Sequence, residues 1–273
     1  YTATKGTLTF APGITSQTII VAVIGDRTDE VDEIFNINLT SATNATIADA
    51  QGVGTITDDD EPPTMTIGNK TITEGDNGST YAVFSVSLSA PSAQSVSVNY
   101  ATADGTATAG SDYIASSGTL TFAPGTTTAT ISVQVKGDFI DESDETFAIN
   151  LINPTNATIA GGQAVGTIVD NDAPPALTIS DQTVIEGHSG ITYAVITVNL
   201  SAPSGQTVKV NYATANGSAT AGSDYVANSG TLTFAPGQTS QIIKVAINGD
   251  RLDEANETFV VNLSSAVNAT IAD

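Results

Sequence analysis

Asp26, Asp138 and Asp250 stand 112 residues apart, as do Glu30, Glu142 and Glu254. Glu74 returns as Glu186, and Asp112 as Asp224. Between residues 64 and 172 there are eleven acidic side chains and two basic ones, Lys70 and Lys136. The acids gather at Glu74, at Asp112, in the string Asp138, Asp141, Glu142, Asp144 and Glu145, and at Asp170 and Asp172. Two carboxylates about 5 Å apart repel by about 0.8 kcal/mol in water, and by more at a partly dehydrated surface. Five or six brought together would cost roughly several kcal/mol, on the scale of a domain's whole stability. With so few lysines and arginines, a metal ion is the candidate counter-charge. Oxygen-only donors on flexible loops select a hard cation, and six to eight oxygens suit Ca²⁺ better than Mg²⁺. A solvated, solubilising edge is the alternative reading of the acids, and Asp112 and Asp224 equally suit turn formation within Ser-Asp-Tyr.

Other chemistries lack their residues. The 273-residue chain has 7 Lys+Arg against 29 Asp+Glu, a formal charge of -22, one His, no Cys and no Trp. Nucleic acid and anionic membrane surfaces would be repelled. Thiol catalysis and cysteine-ligated metals are excluded, and a His-centred triad has only His188, which falls in an expected loop. Carboxylate pairs for glycoside hydrolysis exist, but no Trp offers a sugar platform. The EF-hand loop is absent. The chain therefore reads as a non-enzyme, without nucleic-acid partners or membrane-inserted segments.

The elements that must position these acids come from a repeat. Gly-Thr-Leu-Thr-Phe-Ala-Pro-Gly occurs at 6–13, 118–125 and 230–237, and Asn-Ala-Thr-Ile-Ala at 44–48, 156–160 and 268–272. A 112-residue period is too long for a solenoid turn and fits one domain per repeat. Pro62-Pro63 and Pro174-Pro175 follow acidic strings and read as short stiff joints. The expected units are the later part of a repeat at 1–60, a complete repeat at 64–172, and a third at 176–273 lacking its last strand. Within the complete unit the apolar period is two: Ala82, Phe84, Val86 and Leu88; Val96, Val98 and Tyr100; Ile131, Val133 and Val135; Phe147, Ile149 and Leu151. About seven short strands per unit, punctuated by turn residues, predict an all-β fold of tandem immunoglobulin-like Greek-key β-sandwiches. In such a sandwich, alternate loops share one end.

The order of features resembles the Calx-beta domain family: Glu before Gly after the first strand, Ser-Asp-Tyr, the Gly-Thr-Leu-Thr-Phe block, Gly-Asp…Asp-Glu…Glu-Thr-Phe, and a closing Asp-Asn-Asp or Asp-Asp-Asp. The resemblance implies Ca²⁺ held where one unit meets the next. It implies Glu74, Asp112, Asp138, the Ile140 carbonyl, Glu142, Asp170 and Asp172 as ligands in the complete unit. The partial units keep Asp26, Glu30, Asp58, Asp59 and Asp60 on one side, and Glu186, Asp224, Asp250 and Glu254 on the other. Gly137 and Asn171 replace carboxylates of the family pattern, which implies fewer or weaker ions. Cadherin-like repeats are the rival family, through Asp170-Asn171-Asp172-Ala173-Pro174. The expected function is a calcium-stiffened stalk, adhesin or filament segment of an extracellular or cell-surface protein. The alternative is a calcium-sensing module controlling an attached transporter or enzyme. Expected partners are adjacent repeats, with neighbouring copies joining end to end or by strand edges.

Overall fold

Alternating apolar residues can be buried on one face only if strands pair, and the chain pairs them in antiparallel ladders. The computed structural model describes residues 1–272. Residues 1–60 hold β1 (Glu33–Asn38) and β2 (Gln51–Ile56). Then come β3 (Thr64–Ile67), β4 (Lys70–Thr73), β5 (Gly78–Leu88), β6 (Val96–Asp104), β7 (Ser117–Phe122), β8 (Thr128–Gly137), β9 (Glu145–Thr155), β10 (Thr158–Gly161) and β11 (Gln163–Val169). They are followed by β12 (Ala176–Ile179), β13 (Gly190–Leu200), β14 (Val208–Asn216), β15 (Ser229–Phe234), β16 (Ser240–Gly249), β17 (Phe259–Val267) and β18 (Thr270–Ile271). Among the described residues there is no helix, and the fold is all-β.

Residues 64–169 form two sheets, ordered β10-β3-β5-β8 and β4-β11-β9-β6-β7. The first strand is split between them: it breaks at Gly68-Asn69, where the Asn69 side chain accepts from the Val165 amide at 2.9 Å. The last strand is split in the same way. β10 runs parallel to β3, and β11 runs parallel to β4 while pairing antiparallel with β9. The inward rows meet as expected, with Ala82, Phe84, Val86, Val96, Val98, Ile131, Val133, Val135, Phe147 and Ile149 all buried. Phe147 stacks on Tyr113 at 4.6 Å and meets Phe84 edge-on at 5.9 Å. The Tyr113 hydroxyl donates to Asp104 at 2.6 Å.

The flanking segments show the same pattern with fewer partners. Residues 176–271 form the sheets β16-β13-β12-β18 and β15-β14-β17. Gln182–Ile185, which match β4, form no strand among the described residues. In residues 1–60 only β1 and β2 pair. Ile19 and Val23, the counterparts of the buried Ile131 and Val135, are 37% and 54% exposed.

Register fixes which loops share an end. Gly78 faces Gly137, Asp104 faces Phe147 and Ile168 faces Glu145. The connections at 74–77, 105–116 and 138–144 and the residues after Val169 therefore leave the sandwich at one pole. The β5–β6 and β7–β8 connections lie at the other, joined by the Gly125 amide donating to the Ser92 carbonyl at 2.8 Å. Phe147→Ala should cost about 3–5 kcal/mol, whereas Phe35→Ala should cost far less, since Phe35 is only half-buried. Urea denaturation followed by far-UV circular dichroism measures both, and equal losses would contradict this assignment of the core.

Candidate metal centre

The 74–77 and 170–172 segments are adjacent because β4 and β11 run parallel and stop together. Glu74 donates its amide to the Val169 carbonyl at 3.3 Å. Gly75 turns the chain with φ +85 and donates its amide to the Asn171 side chain at 2.9 Å. Asn171 in turn donates to Asp76 at 2.7 Å. This asparagine is a clasp between the two loops, a role that its place in the closing triplet did not reveal. Glu74, Asp170 and Asp172 bring one carboxylate oxygen each within 4.8 Å of one another. Asp112, Glu142 and Glu145 form a second such set.

These oxygens are poorly served by the protein itself. Oδ1 of Asp170 and Oδ2 of Asp172 are buried and have no hydrogen-bond partner, which is costly unless something positive or hydrogen-bonding meets them. Lys136 directs its ammonium to the Gly110 carbonyl. Burial first, then a hydrogen bond with the Asp170 carboxylate, and then the charges of Asp170, Asp138 and Glu142 push the Glu74 pKa up to about 8. Burial and Asp112 push Glu145 up to about 7. Glu142 and Asp172 are raised for the same two reasons, burial first and neighbouring carboxylates second. Asp104 moves the other way, lowered by the hydrogen bond from Tyr113. An all-oxygen set with unpartnered buried lone pairs and mutually repelling charges fits a hard divalent cation.

The expected residues fall into place unevenly. Asp138 uses Oδ1 to accept from the Ile140 amide at 2.7 Å, shaping the loop while adding its charge to the pole. Asp26 and Asp250 make the same turn with Thr28 and Leu252. Asp112 accepts from the Thr108 amide at 2.6 Å, as its turn reading expects, and it also lies in a carboxylate set. Asp224 repeats that bond with Thr220, which lowers its pKa. In the third unit Glu186, Asp250 and Glu254 converge, as do Asp224, Glu254 and Glu257. Asp26, Glu30, Asp58, Asp59 and Asp60 line one groove with Glu33, and burial and these neighbours raise Glu30. They do not draw together to the same spacing among the described residues. His188 is exposed. Glu145 and Glu257 were not among the expected ligands. Their 112-residue spacing within Asp-Glu-Thr-Phe and Asn-Glu-Thr-Phe was the available signal.

Gly137 has a steric reason. A Cβ there would lie 1.9 Å from the Gly75 carbonyl oxygen and 2.9 Å from that of Glu74. The end of β8 therefore passes directly under the loop that carries Glu74, and only glycine fits. Gly249 meets the carbonyls of Glu186 and Gly187 in the same way, at 2.7 and 2.8 Å.

Fold and site together define a β-sandwich at residues 64–169 with carboxylate sets at one pole, followed at residues 176–271 by two further sheets with carboxylate sets of their own. The Calx-beta domain family matches at residues 1–57, 58–173 and 170–272, and the chain belongs to that family. It is 31% identical over 169 residues to the sodium/calcium exchanger Calx of Drosophila melanogaster, covering 61% of this chain and 18% of the exchanger. It is also 31% identical over 184 residues to the human sodium/calcium exchanger 2, covering 61% and 20%. The chain thus spans about a fifth of the length of the exchangers it matches. Among solved structures it is similar to the calcium binding domain CBD12 of CALX1.1, with 26% identity, a TM-score of 0.37, and coverage of 74% of this chain and 79% of that one.

Two outcomes are expected. Glu74 keeps its proton to about pH 8 when folded, against 4.5 ordinarily, so the folded state binds more protons in that window and loses stability as pH rises through it. In chelator, the thermal midpoint should fall between about pH 5 and 8, and Glu74→Gln should flatten that slope; a midpoint that rises instead would refute the assignment. Gly137→Ala should displace the Glu74 loop and cost about 1–3 kcal/mol, measured by chemical denaturation. No loss would mean that β8 does not pass so close.

Proposed function

We propose that this chain is a calcium-binding regulatory segment, in which Ca²⁺ at the carboxylate pole of one Calx-beta unit governs how that unit is held against the next. The units are 1–60, 64–172 and 176–273. The ion would be held in the complete unit by Glu74, Asp112, Asp138, the Ile140 carbonyl, Glu142, Asp170 and Asp172, with Glu145 joining the Asp112 side. In the flanking units the corresponding oxygens come from Asp26, Glu30, Asp58, Asp59 and Asp60, and from Glu186, Asp224, Asp250, Glu254 and Glu257.

The observation that carries this reading is the pair of buried, unpartnered oxygens on Asp170 and Asp172. They belong to the segment that runs directly into Ala173-Pro174-Pro175 and β12. An ion there neutralises the pole and ties the end of one unit to the start of the next. Likeness to exchangers named for sodium and calcium favours regulation of an attached protein over a passive stalk. An extracellular address, which the low lysine content favours, gains no support from those relatives.

Calorimetric titration with Ca²⁺ tests the proposal. A dissociation constant near or below about a micromolar supports a sensor, and one of tens of micromolar to millimolar returns the stalk reading. Asp170→Asn or Glu142→Gln should weaken binding about tenfold or more by removing ligand charge. Asp104→Asn should leave binding unchanged, because Asn216 makes the same bond to Tyr225 in the third unit, at 2.7 Å. Absence of any calcium heat, together with a melting curve indifferent to chelator, would overturn the proposal.

A further inference from the structure

Asp141 lies between two candidate ligands in sequence, yet it joins neither carboxylate set and bonds instead to the next unit. It is 5% exposed. Ser204 Oγ donates toward its Oδ2 at 3.0 Å and its carbonyl at 3.1 Å, and Gln206 Nε2 donates to Oδ2 at 3.3 Å. The Gly205 amide donates to the Asp141 carbonyl at 3.0 Å, making a one-residue parallel bridge. Gln206 also donates to the Glu142 carbonyl at 3.1 Å, and Ser204 Oγ accepts from the Gln206 amide at 3.0 Å.

The same joint appears one repeat earlier. Asp29 is 6% exposed and receives Ser92 Oγ at 2.7 Å and Gln94 Nε2 at 3.3 Å. The Ala93 amide donates to the Asp29 carbonyl at 3.0 Å, and Gln94 donates to the Glu30 carbonyl at 3.4 Å. Both receiving loops read Pro-Ser-x-Gln, at Pro91–Gln94 and Pro203–Gln206. Each lies at the pole opposite its own unit's acids. At the later joint the middle position is Gly205, and Glu142 packs over it: a Cβ there would lie 2.6 Å from Glu142 Oε1.

We propose that Asp29 and Asp141 form docking sites for the Pro-Ser-x-Gln loop of the following unit, and that this clamp holds successive units in register without a metal ion. Its donors are all neutral: a hydroxyl and a carboxamide meet Oδ2 of the buried carboxylate, and a backbone amide meets the same residue's carbonyl, so no cation is required to close it. A unit whose loop lacks either the serine or the glutamine would leave that carboxylate buried and short of donors, which restricts which units can follow.

The clamp is independent of the calcium reading, and the experiment keeps the two apart by working in chelator. The chain has no cysteine, so spin labels at Thr130→Cys and Ser240→Cys, both exposed strand positions, report the distance between the second and third units by pulsed electron–electron resonance. The labelled protein should give one narrow distance distribution in excess EDTA. Ser204→Ala with Gln206→Ala should broaden it at least twofold, and Asp141→Ala, on the other side of the joint, should do the same. Having one variant in each unit guards against a folding defect in either, with thermal melts as the check. A distribution already broad in EDTA before mutation, or widths unchanged in both variants, would overturn the clamp whatever the calcium titration shows.

Discussion

Like charges gathered at one pole of a sandwich govern much of this structure. Antiparallel register carries Glu74, Asp112, Glu142, Glu145, Asp170 and Asp172 to a common end, where burial and mutual repulsion hold several of them above the ordinary carboxylate range. The protein meets part of this cost with backbone amides, as at Asp112 and Asp138. For the remainder it supplies no cationic partner at Asp170 and Asp172. Protons and divalent ions are the two species that can relieve such a pole, and they compete for the same oxygens. Acidity and ion occupancy are therefore two controls on one set of side chains.

The loops that bear the acids are also the loops that touch the next unit. Glu142 packs over Gly205 while its neighbour Asp141 is clamped by Ser204 and Gln206. Any movement of the 138–144 segment on ion binding must therefore be accommodated at the joint. Asn171 adds a second constraint by tying the closing segment to Gly75 and Asp76. Pole and joint are thus one mechanical element, built from side chains within a few residues of one another.

Much of this could be read from residue order. Two-residue periodicity named the inward rows correctly, because a pleated strand leaves no other way to bury Phe84, Ile131 or Phe147. The repeated strings located equivalent positions, and equivalence picked out the acids. What periodicity cannot encode is distance between strands. Gly137 looked like a lost carboxylate until the approach of the Glu74 and Gly75 carbonyls became visible. Asp141 is chemically indistinguishable from Asp138 in a string of acids, and only tertiary packing turns one toward the pole and the other into the joint. Glu145 opens β9, where an outward-facing strand residue and a pole residue share the same pattern, so alternation alone does not mark it.

The parallel pairing of β3 with β10 and of β4 with β11 carries a consequence for tension. Chain ends lie at opposite poles, so a pull along the array would drag the first strand against the last lengthwise. Their hydrogen bonds would then be loaded together in shear rather than peeled one at a time. Splitting that contact between two sheets, on either side of Gly68-Asn69, doubles the number of seams that must slip before a unit can be drawn out.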